Sequence, residues 1–286
     1  MSGVNPSPGQ PESVPPLIAT LGDLMLDVLV LPRAPLAADG DTPATIRLAA
    51  GGQAANVAAW VSALGARSRL ICARGSDAAS VIAAAHLNRQ GVEICGPVIA
   101  GSGGVVVSTR GIDGARTMAS DPGVAAELGP AELDPAWTET ADLLHISGYC
   151  LLREPTAEAA LAAARAARRV TVDLASAHDI ELFGAERFTA LVQALAPELV
   201  FANEAERAAV PNLETRWVIK LGERGAIFPE GFRESVSATV VDTTGAGDAL
   251  AAGYLVGGAG LAMRAAARCV EAIGAMPSGE LDEATA

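Results

Sequence analysis

The chain is nearly without lysine, since Lys220 is the one ε-ammonium among its 286 residues. Lysine and arginine together number 20 against 33 aspartates and glutamates, giving a formal net charge of −13. Binding to a nucleic-acid backbone or an anionic membrane needs a basic surface, so neither is expected as a partner. Any anion held here must be held by a local device. Cysteine is scarce as well: Cys72, Cys95, Cys150 and Cys269 are too scattered for a disulfide framework or a zinc-ligand pattern. Reduced thiols and a cytoplasmic location are the expectation. No membrane span is evident either, because the apolar run from Ala249 to Met263 has 15 residues broken by glycines, short of the roughly 20 a span requires. The N-terminal MSGVNPSPGQPESVPP has no cationic start and no apolar core, so residues 1–16 read as a disordered tail rather than a signal peptide.

Apolar residues are abundant by contrast. Half of the residues are hydrophobic, enough for a buried core in one large domain or two ordinary ones. LIATLGDLMLDVLV, residues 17 to 30, is a strand-like run interrupted by Asp23 and Asp27. GGQAANVAAWVSALGA, residues 51 to 66, opens on paired glycines and continues with Asn56, Val57, Trp60, Val61 and Leu64 at helical spacing, a glycine turn feeding a helix. RLICARG, ASVIAAAHLNRQ and VEICGPVI then alternate as strand, helix and strand, the rhythm of a parallel α/β sheet. Residues 104 to 121 break it, because VVVST and ARTMAS flank GIDG, a hairpin signal. Antiparallel strands inserted in a parallel pattern suggest a lid. The rhythm returns with LLHISGY, the Ala-rich PTAEAALAAARAARR, VTVDLA, a helix near residues 184 to 196, and ELVFA. RWVIKLGERGAIF closes the series as strand, glycine turn and strand.

DTTGAGDAL, residues 242 to 250, carries the chemistry. Consecutive backbone N–H groups in a Gly-Ala-Gly turn, at a helix start whose dipole adds about half a positive charge, suit a phosphate. Asp248 falls where those amides converge, and a carboxylate there can accept a hydroxyl proton while the amides stabilise a transferring phosphoryl group. The plain alternative is a glycine-rich turn whose aspartate caps a helix. No Walker loop is present, for GxxxxGK[ST] does not occur. Lys220 in KLGERG lies beside a second glycine turn, with a solvated strand end as its ordinary reading. NEAE, residues 203 to 206, puts Asn203 and Glu206 at a strand end and first helical turn, where two oxygen side chains suit Mg²⁺ with retained waters. A helix cap without metal explains the same pair.

Taken together, GGQAANVAAWVSALGA and DTTGAGDALAAGYL resemble the N- and C-terminal signatures of the PfkB-type, ribokinase-like carbohydrate kinases, with LGDLMLD, FANEAE and KLGERG in the expected order. The resemblance covers roughly residues 17–278, with 279–286 left as a C-terminal tail. It implies a three-layer α/β/α sandwich with a mostly parallel central sheet and a small β-lid, its strands within 39–50 and 104–121. It also implies ATP-dependent phosphorylation of an alcohol. Asp248 would be the base, with Gly245, Ala246 and Gly247 forming the anion hole. Lys220, Gly222, Gly225 and Thr243 would border the nucleotide, and Asn203 and Glu206 would organise Mg²⁺ through water. Asp242 would contribute to a monovalent cation such as K⁺. Asp27, Gly51, Gly52, Asn56 and Tyr149 would hold the acceptor.

Two departures bear on the substrate. Ser147, Gly148 and Tyr149 stand where ribose kinases carry a sugar-binding glutamate, and the segment between Leu255 and Ala275 is short, which bears on the adenine pocket. Aromatics make up only 3% of the chain, which favours a sugar over a purine nucleoside or pseudouridine. Arg110 and Arg116 on the hairpin suit an acidic sugar, or else simply guard an exposed edge strand. A catalytically silent sugar- or nucleotide-binding protein on the same fold is the alternative from another class. Exposed lid edges make a homodimer a further expectation.

Overall fold

The computed structural model describes residues 14–111 and 116–277. Most of the GIDG turn and both extreme tails therefore lie outside the described residues. The strands in chain order are β1 (Leu17–Leu21), β2 (Met25–Pro32), β3 (Ala44–Gly51), β4 (Arg67–Ile71), β5 (Arg74–Gly75), β6 (Glu93–Cys95), β7 (Val98–Ile99) and β8 (Gly104–Arg110). They continue as β9 (Arg116–Asp121), β10 (Leu143–Ser147), β11 (Val170–Asp173), β12 (Leu199–Asn203), β13 (Trp217–Lys220), β14 (Ala226–Phe228) and β15 (Gly231–Arg233). The helices are α1 (Gln53–Ala63), α2 (Ala78–Arg89), α3 (Ala136–Glu139), α4 (Thr156–Ala166), α5 (Ala177–Phe183), α6 (Ala185–Ala194), α7 (Glu204–Ala209) and α8 (Ala246–Val270).

Nine strands form the central sheet in the order β15-β14-β13-β12-β11-β10-β1-β4-β6. Its members from β13 to β6 pair in parallel, while β14 and β15 add an antiparallel edge. Strands covered on both faces read as continuous apolar runs rather than alternating ones, which is why LIATL and LLHIS are buried throughout. One face packs on α4, α5 and α6 through Ala159, Ile180, Phe188 and Val192. The other packs on α1 and α8 through Val57, Trp60, Ala251 and Ala262. Three layers result. A separate four-stranded sheet has the order β3-β2-β8-β9, and its strand β2 begins a few residues beyond the carboxyl end of β1.

Residues 17 to 30, read from sequence as one interrupted strand, divide between the two sheets. Gly22 is the break: a Cβ there would lie 2.7 Å from Ala54 Cβ and 2.9 Å from Ser147 Cβ, so the chain passes tightly over the head of α1 before β2 begins.

Helix α8 has the length and apolarity of a membrane span, yet half of its most apolar window is buried inside the fold. It is two helices joined at a kink, with Gly257 and Gly258 outside helical geometry. Buried Ala249, Ala252, Ala262 and Ala265 make it a core helix against α1 and the sheet.

Candidate active site

In open parallel sheets, ligands bind outside the carboxyl ends of the strands. Here those ends carry Asp23 just after β1, Ser147 on β10, Asp173 on β11, Asn203 on β12 and Lys220 on β13. The heads of α1 and α8 converge on the same edge. Asn56 Nδ2 donates to Asp248 Oδ2 at 2.7 Å across 192 residues of sequence, so the two glycine-rich motifs meet through their polar side chains.

Both turns need glycine. Gly245 caps α8 in the left-handed conformation, φ 77°, and a Cβ there would strike Ala275 Cβ at 2.4 Å. Gly52, φ 96°, would drive a Cβ to 2.6 Å from the Asp23 carbonyl oxygen, and a Cβ at Gly51 would overlap the Asp27 carboxylate. Ala246 N–H turns back to Thr243 O at 3.4 Å. Helix geometry leaves the Gly247 and Asp248 N–H groups without a carbonyl partner in α8.

Burial, then the neighbouring Asp173 charge, pushes the Asp248 carboxyl from its ordinary 3.8 up to about 7, against the pull of Asn56 and Lys220. A base near neutral pH is well matched to taking a proton from an alcohol. Burial and then Asp23 raise Asp27 to about 7 as well, with Arg116 opposing. Burial also raises Asp23, although N–H groups of Ala54 and Gln53 reach its carboxylate. Among the described residues, buried Asn56 Oδ1 and Asp23 Oδ1 have no hydrogen-bond partner. An unpaired buried acceptor is costly, so both are prepared to take a donor from a bound molecule. Ser147 Oγ donates to Gln53 Oε1 at 2.6 Å, and Tyr149 stands 41% exposed beside this wall.

Lys220 is not a solvated strand end. Its Nζ donates at 2.8 Å to both oxygens of fully buried Asp173. Burial, the largest single influence, pulls the ammonium down, but the Asp173 charge and hydrogen bonds together with the Glu206 and Asp248 charges hold Lys220 above its usual value. A cleft of about 450 Å³ opens beside it, and Lys220, Gly222, Gly225, Thr243, Ala246 and Gly247 are among its lining residues. Its far wall is apolar, with Val240, Leu250, Met263 and Val270.

Asn203 and Glu206 form a capping box at the head of α7. Asn203 Oδ1 accepts from Glu206 N at 2.8 Å, and the Glu206 carboxylate accepts from Asn203 N and Nδ2 at 2.8 and 2.7 Å. Burial raises Glu206, with Lys220 opposing. Among the described residues no three His, Cys, Asp or Glu side chains cluster as a ready cage for a metal. Asp242 ties two loops, accepting from Thr244 N and Oγ1 and from Gly274 N at 3.0, 2.6 and 3.0 Å. These bonds hold it below the ordinary carboxylate value despite its burial. Arg116, on β9 of the second sheet, reaches Thr244 Oγ1 and lies 3.9 Å from Asp242 Oδ1.

Sequence reasoning missed Asp23 and Asp173 as members of this edge. Each had a signal: a carboxylate closing an apolar strand run, LIATLGD and VTVD, at a place where apolar burial makes an unpartnered charge expensive.

A helix start with open Gly247 and Asp248 amides, a near-neutral carboxylate and a cleft lined by Lys220 at one sheet edge are the parts of a phosphotransferase. The chain belongs to the pfkB family of carbohydrate kinases, whose sequence pattern matches residues 16–277. Among curated relatives, an ATP-dependent ribose-1-phosphate kinase from Halopiger xanaduensis is 31% identical over 250 residues, covering 82% of this chain and 80% of its own. Fructoselysine 6-kinase from Shigella flexneri is 29% identical over 261 residues, covering 84% and 88%. Among solved structures, adenosine kinase from Sinorhizobium meliloti superposes with a TM-score of 0.80 at 25% identity, covering 93% of this chain and 97% of that one. The ribokinase-like sandwich and the class of ATP-dependent kinase expected from the motifs agree with these findings.

Proposed function

We propose that the protein transfers the terminal phosphate of ATP to a hydroxyl of a small sugar or sugar-like metabolite. The observation that carries this reading is the 2.7 Å bond from Asn56 to Asp248, because it sets an acceptor-binding helix head against the base. The acceptor lies against Asp27, Gly51, Gly52 and Asn56, with its reacting hydroxyl toward Asp248. Asp248 takes the hydroxyl proton as the oxygen attacks, and the amides at Gly245, Ala246 and Gly247 stabilise the charge on the transferring group. Phosphoryl transfer passes through a loose transition state, so these residues act mainly by positioning and charge neutralisation.

The cleft beside Lys220 has the volume of a small-molecule site, and its glycines permit close backbone approach to phosphates. Asn203 and Glu206 suit Mg²⁺ held through water, since their own oxygens are engaged in the cap and a hydrated Mg²⁺ keeps several waters. Mg²⁺ supplies neutralisation of phosphate charge when bound. Asp242 is the residue for a K⁺ near the turn. Closure of the second sheet over the acceptor excludes water and limits wasted hydrolysis.

The test is to incubate the purified protein with ATP, Mg²⁺ and K⁺ and a pooled library of sugars, sugar phosphates, sugar acids and nucleosides, following ADP release and a mass gain of one phosphate. A phosphorylated sugar supports the reading. A phosphorylated nucleoside promotes the second one, which the 41% exposed Tyr149 ring favours as a stacking surface. ATP binding with no product from any acceptor would leave a silent binding protein.

A further inference from the structure

Asp173 has no role in the scheme above, yet it is fully buried and gives both oxygens to the protein's one lysine. The two residues sit on β11 and β13, which flank β12 in the sheet. Their pair therefore bridges across a strand, beneath the turn that opens α8. The Lys220 side chain keeps 15% of its surface exposed, and it lines the cleft with Gly222, Gly225 and Gly247. A Cβ on Gly247 would lie 3.4 Å from Nζ, so the ammonium packs directly against the turn. An ammonium has three N–H donors. Two are committed to Asp173, and one is left for whatever occupies the cleft.

A buried ion pair is a weak device for stability, because desolvation of both charges offsets their attraction, and a neutral pair of similar volume often serves as well. Lysine is otherwise a point charge on a flexible stem. What the carboxylate adds is a fixed place for that charge.

We propose that Asp173 is a positioning residue for the phosphate donor, holding the Lys220 ammonium under the turn so that its third N–H meets the donor's polyphosphate. This rests on the kinase reading, but its test needs no acceptor. The Asp173 charge also acts on Asp248, where it is the second cause after burial of the raised carboxyl.

The experiment compares Asp173→Asn, Lys220→Met and the double variant with the wild-type chain, by calorimetric titration with ATP and with adenosine, alongside thermal unfolding. Asp173→Asn and Lys220→Met should each weaken ATP by about 10- to 100-fold, the worth of one charge-assisted hydrogen bond, and leave adenosine unchanged. The double variant should regain the wild-type unfolding midpoint while binding ATP no worse than Lys220→Met alone, because the pair acts as a unit. That last comparison stands even where Asp173→Asn alone fails to fold. Wild-type ATP affinity in the folded Asp173→Asn protein, or in the double variant, overturns the proposal. So does a double variant whose losses simply add. Failure of the wild-type chain to bind ATP would instead sink the kinase reading itself.

Discussion

Replacing Asp248 by Asn keeps the shape of the side chain and removes its charge, and the structure sets two opposed consequences. The first is on rate. A positioned general base contributes on the order of 10² to 10⁴, so turnover should fall by that factor while ATP affinity holds. The second is on stability. The carboxyl titrates near 7 in the fold, raised first by burial and then by Asp173, against 3.8 ordinarily. Between those values the unfolded chain has released its proton and the fold has kept it, so wild-type stability falls as pH rises through this window and levels off above about 7. At about 1.4 kcal/mol per unit, an interval of about three units sets an upper limit of roughly 4 kcal/mol, which solvent contact at the cleft reduces. Asp248→Asn should therefore match the wild-type chain at pH 4 and exceed its stability by about 1 to 4 kcal/mol at pH 8. Thermal unfolding at pH 4, 6 and 8 measures this. Initial rates of ADP release from pH 5.5 to 8.5 measure the other arm, where wild-type kcat/KM should climb about tenfold per unit up to about 7 and then flatten. A variant with wild-type turnover removes Asp248 from the mechanism. One with no stability gain at pH 8 removes the burial argument for its titration.

Two further substitutions separate the acceptor and metal arms. Gly52→Ala places a Cβ 2.6 Å from the Asp23 carbonyl oxygen at φ 96°, so it should cost about 1 to 3 kcal/mol of stability and raise KM for the acceptor without weakening ATP. An unchanged acceptor KM would place the sugar elsewhere. Glu206→Gln keeps the shape of the side chain but turns one of its two accepting oxygens into a donor facing Asn203, so it should cost about 1 to 3 kcal/mol of stability, while the Mg²⁺ concentration for half-maximal rate rises several-fold. A Mg²⁺ dependence identical to wild type would leave Glu206 as a helix cap alone.

Glycine and periodicity made much of the fold legible. Paired glycines before Asn56, Val57, Trp60 and Val61 marked a turn and a helix, and α1 occupies Gln53–Ala63. The apolar runs of a doubly covered parallel sheet were readable for the same reason: each must fill two interfaces. What local pattern could not convey was which sheet a strand joins. MLDVLVLP has the composition of a central strand, yet β2 pairs with β3 and β8 in the second sheet. The change of sheet falls at Gly22, where the chain passes too close to Ala54 and Ser147 for any Cβ, a constraint set by segments far apart in sequence. The site shows the same division. Asp248 announced itself by its glycine turn, whereas Asp173, in VTVD, differs from any strand-end aspartate only through Lys220, 47 residues later.

The net charge of −13 and the character of the site belong to one physical problem. Asp23, Asp173 and Asp248 crowd the carboxyl edge of the central sheet, Asp27 on β2 of the second sheet feels the Asp23 charge, and Lys220 is committed to Asp173. The edge relieves its repulsion partly by retaining protons, with Asp27 and Asp248 both raised to about 7. Apart from those retained protons the wall offers acceptors, including Asp23 Oδ1 and Asn56 Oδ1, which have no partner among the described residues. Each buried acceptor left unmet costs about 1 to 3 kcal/mol, so a ligand that brings several hydroxyl donors is selected over one that brings carboxylates or a bare aromatic face. A polyol supplies those donors in neighbouring pairs. An acidic group on the same molecule must then point away from this wall, toward the side where Arg116 reaches Thr244 from the second sheet. Hydrogen-bond demand at the edge thus supports the proposed polyol acceptor, a free sugar or the ribose of a nucleoside alike, on grounds separate from any scarcity of aromatic residues.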